Sequence, residues 1–312
     1  MKKILLFLSS FVLIACGNAT EEVHEKKGIF SLGESSEPLD AWQKPDPRLC
    51  LDQVTYLGSH NAHANIQEGF AYAQQLWSLE NQLKRGVRHF LIDIWPDKGE
   101  LLLCHNRCKL SILLKMGRKH KNLKSALELI KNWLDHHPDE IVTLELENYA
   151  TGDQTHEVIR SVPGLEQCIL KRSDYEPLKY EGRWPTIQSL IDRNKRLIIF
   201  DTQDNEKYAF DTDTYICRNM YGTLNIDKAA TLRGVEYPYR GLCQLNYFGT
   251  ITSPLAHYNR PETLKKLLCR CQEKGVVPQG KSPNFIALDF VDRGNAMKWV
   301  NELNRGAARS LK

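Results

Sequence analysis

The 312-residue chain lacks several features that mark large classes of protein. It has no long basic block and a formal net charge of only +4, whereas proteins that bind nucleic acid usually carry a concentrated basic stripe. Beyond residue 16, no apolar run approaches the roughly 18 residues that a transmembrane helix needs. Its cysteines show neither two CxxC pairs nor the Cys/His spacing of structural zinc sites. With 42% hydrophobic residues, the chain is globular and not disordered.

The N-terminus has the pattern of a bacterial export signal. Lys2 and Lys3 precede an apolar segment over residues 4–14, which is too short to span a bilayer. Residues 13–17, LIACG, resemble the lipobox, in which the cysteine is acylated and becomes the mature N-terminus. We therefore predict a signal peptide over residues 1–15, a lipidated Cys16 and an exported, membrane-anchored lipoprotein. An ordinary secretory signal with a chance cysteine is the alternative.

Residues 16–48 have the composition of a flexible tether. They contain scattered glutamate, serine, glycine and proline with little apolar periodicity. A flexible stretch of about 30 residues spans roughly 30 Å, which would hold a folded domain just off a membrane. The folded domain is predicted to occupy residues 49–312.

The cysteine count agrees with export. Nine cysteines less Cys16 leave eight in the mature chain, and an even number in an oxidising compartment is typical of disulfide-bonded proteins. Up to four disulfides are expected, and the sequence alone does not give their connectivity.

Strand-like and helix-like segments alternate from residue 50 onward. Leucines at helical spacing predict helices that end at Gly86, extend over residues 123–134 and follow Pro261. Apolar runs predict strands over residues 54–57, 87–94, 101–104, 141–146, 196–200, 243–246 and 285–290. Alternation over this length favours an α/β fold, a single (β/α) TIM-type barrel. An open doubly wound sheet is the alternative, and the absence of a glycine-rich phosphate loop after the first strand counts against it.

Polar residues stand where the predicted strands end, and barrel enzymes place their chemistry at the carboxyl ends of their strands. These residues are His60 with Asn61, Asp93, His105, Glu147, Asp201, Asn246 and Asp289. Strand ends also meet solvent, which is an equally good explanation for Asp201 and Asn246. For the residues that follow the first four predicted strands, convergence on one site is the more specific explanation.

Two histidines at neighbouring strand ends can serve as general base and general acid. This chemistry suits phosphodiester cleavage, in which an attacking hydroxyl loses a proton and a leaving alkoxide gains one. Asn61, Asp93 and Glu147 are candidate metal ligands, because they offer the oxygen atoms that Ca²⁺ prefers. A bound cation would neutralise negative charge that develops on the phosphate.

These residues fall within motifs that resemble the phosphatidylinositol-specific phospholipase C X-domain superfamily. The motifs, in order along roughly residues 50–305, are YLGSHNA at 56–62, GVRHFLIDIW at 86–95, LCHN at 103–106, LELEN at 144–148, RWPT at 183–186 and PNFIALDFV at 283–291. Each motif is weak alone, whereas their order and spacing together are specific. The resemblance implies an irregular TIM-type barrel and a phosphoric diester hydrolase.

The resemblance also implies residue roles. His60 corresponds to the base toward the attacking hydroxyl and His105 to the acid toward the leaving oxygen, with Asp289 orienting His60. Arg88 and Trp95, both in the second motif, are candidate substrate-binding residues.

Two further features, an aromatic pair and a cysteine pair, each allow two interpretations. Tyr247 is a candidate substrate-binding residue in an aromatic wall with Phe248, for which a core position is equally well supported. Cys104 and Cys108 flank His105 closely, so they either form a local disulfide or pair elsewhere.

The resemblance favours a calcium-dependent enzyme. Metal-independent bacterial members place cations where this chain has Asp93 and Glu147, so a phosphate would meet negative charge here unless a metal were bound. The chain departs from the calcium-dependent pattern at Leu91, where those enzymes usually have another acid. A metal-free site, in which the acids pair with nearby arginines such as Arg88 or Arg107, is the alternative.

The leading interpretation is a phospholipase C-like phosphodiesterase that acts on a phospholipid or another phosphodiester and reaches the membrane through its lipid anchor. A glycerophosphodiesterase or sphingomyelinase-D-like enzyme is a second possibility, although the usual His-Arg-Gly start is absent at His60. A catalytically silent binding lipoprotein is the third. No nucleic-acid partner is expected.

Overall fold

A computed structural model of the chain describes residues 39–70, 72–104, 121–203, 207–233, 241–250 and 258–311. All of them belong to one compact unit, Ser35–Lys312. The predicted signal peptide, Cys16, His105 and Cys108 lie outside the described residues.

The described residues form one nine-stranded sheet. Its strands are β1 Tyr56–Ser59, β2 His89–Asp97, β3 Glu100–Leu103, β4 Val142–Asn148, β5 Leu197–Asp201, β6 Phe210–Asp211, β7 Ile216–Arg218, β8 Leu242–Tyr247 and β9 Phe285–Leu288. Eight follow the order β6-β5-β4-β2-β1-β9-β8-β7, and all the pairings along this path are parallel. The sheet curls into a parallel α/β barrel of the TIM type that is open between β6 and β7, so the predicted fold class is confirmed.

The strands are apolar because the sheet is covered on both faces, as parallel sheets are. Every residue of β5 and of β9 is buried. The core also includes large side chains such as Trp184, Phe200 and Phe285. Continuous burial explains why apolar runs predicted these strands.

Helices surround the sheet. They are α1 Leu79–Lys84, α2 Leu123–His136, α3 Gly152–Ser161, α4 Leu165–Cys168, α5 Arg172–Leu178, α6 Ile187–Asp192, α7 Thr212–Tyr215, α8 Ile226–Ala229, α9 Pro261–Glu273 and α10 Ala296–Arg309. Helix α2 buries the leucines that predicted it, and the Asn122 side chain caps its first turn by accepting from Ser125 N at 2.9 Å. None of the helices in the described ranges is long and apolar enough to cross a membrane.

Gly86 ends the turn after α1, as its position in the sequence predicts. Its φ of +91° lies in the left-handed region. A Cβ atom at this position would lie 2.2 Å from the Cβ of Trp42. Both the backbone angle and the close approach of Trp42 therefore require glycine.

The predicted third strand needs correction. Its residues form β3, but β3 pairs antiparallel with β2 in a hairpin and is not a strand of the parallel barrel. The short strands β6 and β7 were missed, since two- and three-residue strands give no periodic signal.

The predicted boundary at residue 49 also needs correction. The backbone N–H groups of Asp40 and Gln43 donate to the side-chain oxygens of Asn295 (2.9 Å) and Asn301 (3.1 Å). Trp42 packs against the hydrophobic core. The end of the predicted tether is therefore part of the folded domain from residue 39.

Cys104 is disulfide-bonded, and its partner is not among the described residues. Six further cysteines are thiols in the structure, namely Cys50, Cys168, Cys217, Cys243, Cys269 and Cys271. The sequence allowed up to four disulfides. Among the described cysteines, Cys104 is in a disulfide and the other six are thiols.

Candidate active site

The carboxyl ends of four adjacent strands, β4, β2, β1 and β9, bring the predicted site residues together. Asp93 and Glu147 are direct register partners on β2 and β4. Ser59 and Leu288 pair in the same way on β1 and β9, so His60 and Asp289, which follow them, are neighbours.

His60 and Asp289 form a hydrogen-bonded pair. His60 Nδ1 lies 2.8 Å from Asp289 Oδ1, and the two side chains are 17% and 7% exposed. On the other side of the ring, Asn61 Nδ2 lies 3.1 Å from His60 Nε2. Because an amide nitrogen only donates, Nε2 accepts and the ring proton is on Nδ1, where it is donated to Asp289. In this tautomer Nε2 is basic, and a substrate hydroxyl would have to replace the Asn61 amide as its hydrogen-bond partner before Nε2 could take a proton.

Two buried amides fix the backbone of this pair. Gln75 Nε2 donates to the carbonyl oxygens of His60 (2.8 Å) and Leu288 (2.9 Å). Asn259 Nδ2 donates to those of Asp289 (2.7 Å) and Phe290 (3.0 Å). The segments after β1 and β9 are thus held together through their main chains, which fixes the relative position of the two side chains.

An aromatic stack holds the face of the His60 ring. Phe248 lies parallel to it, with ring centroids 3.7 Å apart and an interplanar angle of 7°. Tyr221 stacks on Phe248 at 5.4 Å, and the Arg233 guanidinium lies 3.8 Å from the Tyr221 ring centroid. The stack therefore extends from His60 to Arg233, and both residues line the same pocket.

The site opens into a pocket of about 330 Å³. It is lined by His60, Leu91, Asp93, Glu145, Glu147, Asn148, Tyr149, Thr202, Gln203, Asp213, Arg218, Tyr221, Arg233, Gln244, Asn246 and Phe248. Four of these described residues are acids and two are arginines, so the lining carries a net charge of −2 with His60 neutral. Such a pocket attracts cations and repels an unaccompanied phosphate.

Asp93 and Glu147 supply the carboxylates expected from the sequence. Asp93 is buried, with 5% exposure, whereas Glu147 is exposed. The Tyr149 hydroxyl donates to Glu147. Burial and this hydrogen bond together raise the pKa of Tyr149 well above its usual range.

Glu145 is buried and belongs to an ion-pair network beneath the pocket. Arg218 Nη1 donates to Glu145 Oε1 at 2.5 Å and Nη2 to Asp213, while His89 Nε2 lies 3.6 Å from Glu145 Oε2. Burial raises the pKa of Glu145, but Arg218 and His89 outweigh it and hold this pKa at about 2. The carboxylate is therefore charged and already paired with a cation.

Arg218 is a site residue that sequence analysis missed. It ends β7, and the three residues of that strand are too few to be recognised as a strand. The only available signal was an arginine directly after two apolar residues, which is too common to be specific.

Three predicted substrate-binding residues do not line this pocket. Arg88 lies at the opposite end of β2, 3% exposed, where it binds Glu140 through two 2.9 Å contacts and borders a different cavity. Tyr247 is buried, and its hydroxyl donates to Leu224 O at 2.8 Å. Trp95 contacts the pocket indirectly, through the ring of Tyr149 at 4.9 Å.

Tyr247 and Phe248, the two residues of the predicted aromatic wall, lie in different places. Successive residues of a strand point to opposite faces, so only one of two neighbours faces the barrel mouth. Phe248 lines the pocket and Tyr247 packs in the core. The core position that was left open for Phe248 is thus occupied by Tyr247, and a role of either residue in substrate binding stays a prediction.

Asn61 is buried and adopts a left-handed backbone with φ of 44°. It touches His60 but is not among the residues that line the pocket. Asp201 is fully buried and accepts from Asn148 Nδ2 at 3.0 Å, which supports its structural explanation.

The fold and the strand-end site define a class, the phosphatidylinositol-specific phospholipase C-like barrels. The structure is similar to phosphatidylinositol-specific phospholipase C from Listeria monocytogenes, with a TM-score of 0.53 and 14% identity over 83% of this chain and 95% of that one. A Staphylococcus aureus phosphatidylinositol-specific phospholipase C gives a TM-score of 0.55 with 12% identity over 83% and 95% of the two chains. At these identities the similarity establishes the fold.

The chain belongs to the PI-PLC X family, whose model matches residues 49–238. A PI-PLC X domain-containing protein of Arabidopsis thaliana is 24% identical over 93% of this chain and 69% of its own length. PI-PLC X domain-containing protein 1 of Arthroderma benhamiae is 25% identical over 83% and 88%. The family expected from the sequence motifs is confirmed.

Proposed function

We propose that this protein is a phosphoric diester hydrolase of the phospholipase C type that acts on a phospholipid. The observation that carries the proposal is the His60–Asp289 pair at the mouth of a PI-PLC-like barrel, in which Nε2 of His60 is the basic nitrogen and accepts from Asn61. Acid–base catalysis by positioned side chains contributes about 10²–10⁴-fold to a reaction rate.

In this mechanism His60 Nε2 removes the proton from the attacking hydroxyl of the substrate. The imidazole becomes a cation, and the Asp289 carboxylate at Nδ1 stabilises it. Phe248 keeps the ring plane fixed during this exchange. His105, which lies outside the described residues, is the proposed acid that protonates the leaving oxygen.

The described residues fit a calcium ion in part. Asp93 and Glu147 place two carboxylates side by side, and Ca²⁺ takes six to eight oxygen ligands from carboxylates, amides and water. No group of three His, Cys, Asp or Glu side chains in the described ranges is arranged to hold a metal, since Leu91 replaces one acid and Glu145 is paired with Arg218. Asp93 and Glu147, together with Asn61 on the segment after β1, are the proposed ligands, and the ion would neutralise charge on the phosphate.

Arg218 and Arg233 are the proposed protein cations for the phosphate, because they are the arginines among the described pocket residues. Arg218 is already shared between Glu145 and Asp213. Arg233 lies over Tyr221 and is better placed to meet a substrate that enters from outside.

We also propose that the mature protein is an exported lipoprotein anchored through Cys16. This proposal rests on the sequence of residues 1–17. A tethered barrel would meet its phospholipid substrate at the membrane surface.

The function is tested by incubating the purified full chain with vesicles of single phospholipids and measuring released phosphorylated head groups. Release from one lipid, with loss of release in H60A, would support the proposal. H136A is the matched control, because His136 is an exposed histidine on α2. No release from any phospholipid, or cleavage on the other side of the phosphate, would contradict it.

A further inference from the structure

Three cysteine thiols lie near one another on the barrel wall. Cys217 in β7 and Cys243 in β8 are direct register partners. Cys271 lies on α9, and Cys217 Sγ donates to the carbonyl oxygen of Val276, just after that helix, at 2.7 Å. The next residues of the two strands, Arg218 and Gln244, line the pocket, so Cys217 and Cys243 both face the opposite side of the sheet.

The separation of these strands suits a covalent link. Neighbouring strands lie about 4.7–4.9 Å apart, and the Cα atoms joined by a disulfide are usually about 4.4–6.8 Å apart. Register partners whose side chains point to one face meet this requirement. Cys217 is half-buried and therefore open to a reagent, whereas Cys243 is fully buried.

The environment of each thiol distinguishes the reactive pair from the third cysteine. The hydrogen bond with Cys243 lowers the pKa of Cys217. Burial, and next the neighbouring Cys217, raises the pKa of Cys271 to about 12. Because the thiolate is the nucleophile in disulfide chemistry, Cys217 is the attacking sulfur and Cys271 remains protonated.

The link would join a weakly held strand. Strand β7 has three residues and lies at one end of the strand order, with β8 as its sheet neighbour. It also ends in Arg218, which pairs with Glu145 beneath the pocket. Cys217 is the middle residue of this strand.

We propose that Cys217 and Cys243 form a disulfide that fastens β7 to β8 when the protein meets a disulfide oxidant, such as an oxidised thiol compound or a protein disulfide. The Cys217 thiolate attacks one oxidant sulfur and releases the other as a thiolate, which takes up the Cys217 proton. Deprotonated Cys243 then attacks Cys217 Sγ and expels the second oxidant sulfur as a thiol. The two cysteines lose two electrons and two protons, and the oxidant gains them.

The test uses the full chain equilibrated with oxidised or reduced glutathione, followed by alkylation and non-reducing peptide mapping. The expected result is a peptide pair that joins Cys217 to Cys243 in the oxidised sample only. Alkylation of both residues after oxidation, or a bond from Cys217 to Cys271, would overturn the proposal.

Thermal unfolding of variants gives a second readout. Oxidation should raise the Tm of the wild type by about 5 °C, and C269S, which changes an exposed thiol on α9, should show the same rise. C217S should show none. A rise that persists in C217S would mean that another pair is responsible.

Discussion

The two ends of the barrel each hold a buried arginine–glutamate pair, and the pairs differ in what surrounds them. Arg88 and Glu140 lie before β2 and β4, with side chains 3% and 6% exposed. Arg218 and Glu145 lie toward the pocket, with side chains 4% and 6% exposed. Equal burial therefore does not distinguish them.

Arg88 is satisfied on every side. Its Nε and Nη2 donate to the Glu140 carboxylate, and Nη1 donates to the carbonyl oxygens of Leu83 (2.7 Å) and Val87 (2.8 Å). Trp42 and Trp133 lie near its guanidinium, at 5.8 and 5.3 Å from their ring centroids. Its environment is that of a residue that fixes structure.

Arg218, by contrast, binds two carboxylates and borders the pocket. One of them, Asp213, is 58% exposed and therefore in contact with water. An arginine that can exchange an exposed carboxylate for a phosphate is suited to substrate binding. Two arginine–glutamate pairs of equal burial therefore differ in their remaining hydrogen-bond partners, and this difference is why we propose a role in substrate binding for Arg218 and not for Arg88.

The largest expected effect lies at the pocket end. H60A should lower turnover by about 10²–10⁴-fold, because it removes the proton acceptor, while the protein stays folded with a somewhat lower Tm, since Asp289 and Phe248 lose their contacts with the ring. Initial rates of head-group release and a thermal melt measure the two quantities. Equal losses of activity in H60A and H136A would show that His60 has no special role.

The arginine pairs give the sharpest contrast. R88M should cost about 3–5 kcal/mol in the free energy of unfolding, because it leaves Glu140 charged and buried, and the remaining folded protein should turn over normally. R218M should lower turnover by about 10²–10³-fold, as loss of a transition-state donor does, in addition to any loss of stability.

Double variants separate a loss of activity caused by lower stability from one caused by the loss of a substrate-binding arginine. R88M/E140Q and R218M/E145Q each remove both charges, so denaturant titration should show stability restored in large part. Activity should return to normal only in the first. If R218M/E145Q is also fully active, Arg218 is structural and the contrast between the two ends of the barrel disappears.

The pH dependence of stability should report the Glu145 network. The pKa of Glu145 is about 2 in the folded protein and roughly 4.3 when unfolded. A lowered folded pKa gives stability that is fully present above the unfolded pKa and is lost as the pH falls toward 2. The difference corresponds to about 3 kcal/mol. Urea titrations between pH 5 and pH 2 should therefore show a smaller acid loss in E145Q than in the wild type, and parallel curves would argue against the network.

Sequence analysis found what local patterns determine. Buried parallel strands are almost continuously apolar, so residues 197–201 and 285–288 were recognisable, and residues at strand ends such as His60 and Asp289 could be placed near one another. It failed where long-range geometry decides. The antiparallel pairing of β3, and the position of Arg218 in the pocket while Arg88 lies at the other end of the barrel, depend on which strand ends meet in space.

The smallest expected effect concerns calcium. Asp93 and Glu147 are adjacent carboxylates at the pocket end, and Arg218, one of the two arginines in the described lining, is already paired with Glu145 and Asp213. With these pairings Asp93 and Glu147 leave the pocket lining net negative, so the proposed calcium ion would add positive charge for the phosphate to that of Arg218 and Arg233. Activity should fall in excess chelator and return on addition of Ca²⁺.

E147Q should raise the half-saturating calcium concentration about tenfold, because an exposed carboxylate about 4 Å from a divalent ion contributes roughly 1–2 kcal/mol at the dielectric constant of water. E140Q, a glutamate change at the other end of the barrel, is the matched control and should leave the calcium dependence of the folded enzyme unchanged. Calcium titrations of head-group release, each corrected for the folded fraction, give the comparison. Full wild-type activity in chelator without any added divalent ion would show that Arg218 and Arg233 supply the positive charge by themselves, and the acids of the pocket would then need another explanation.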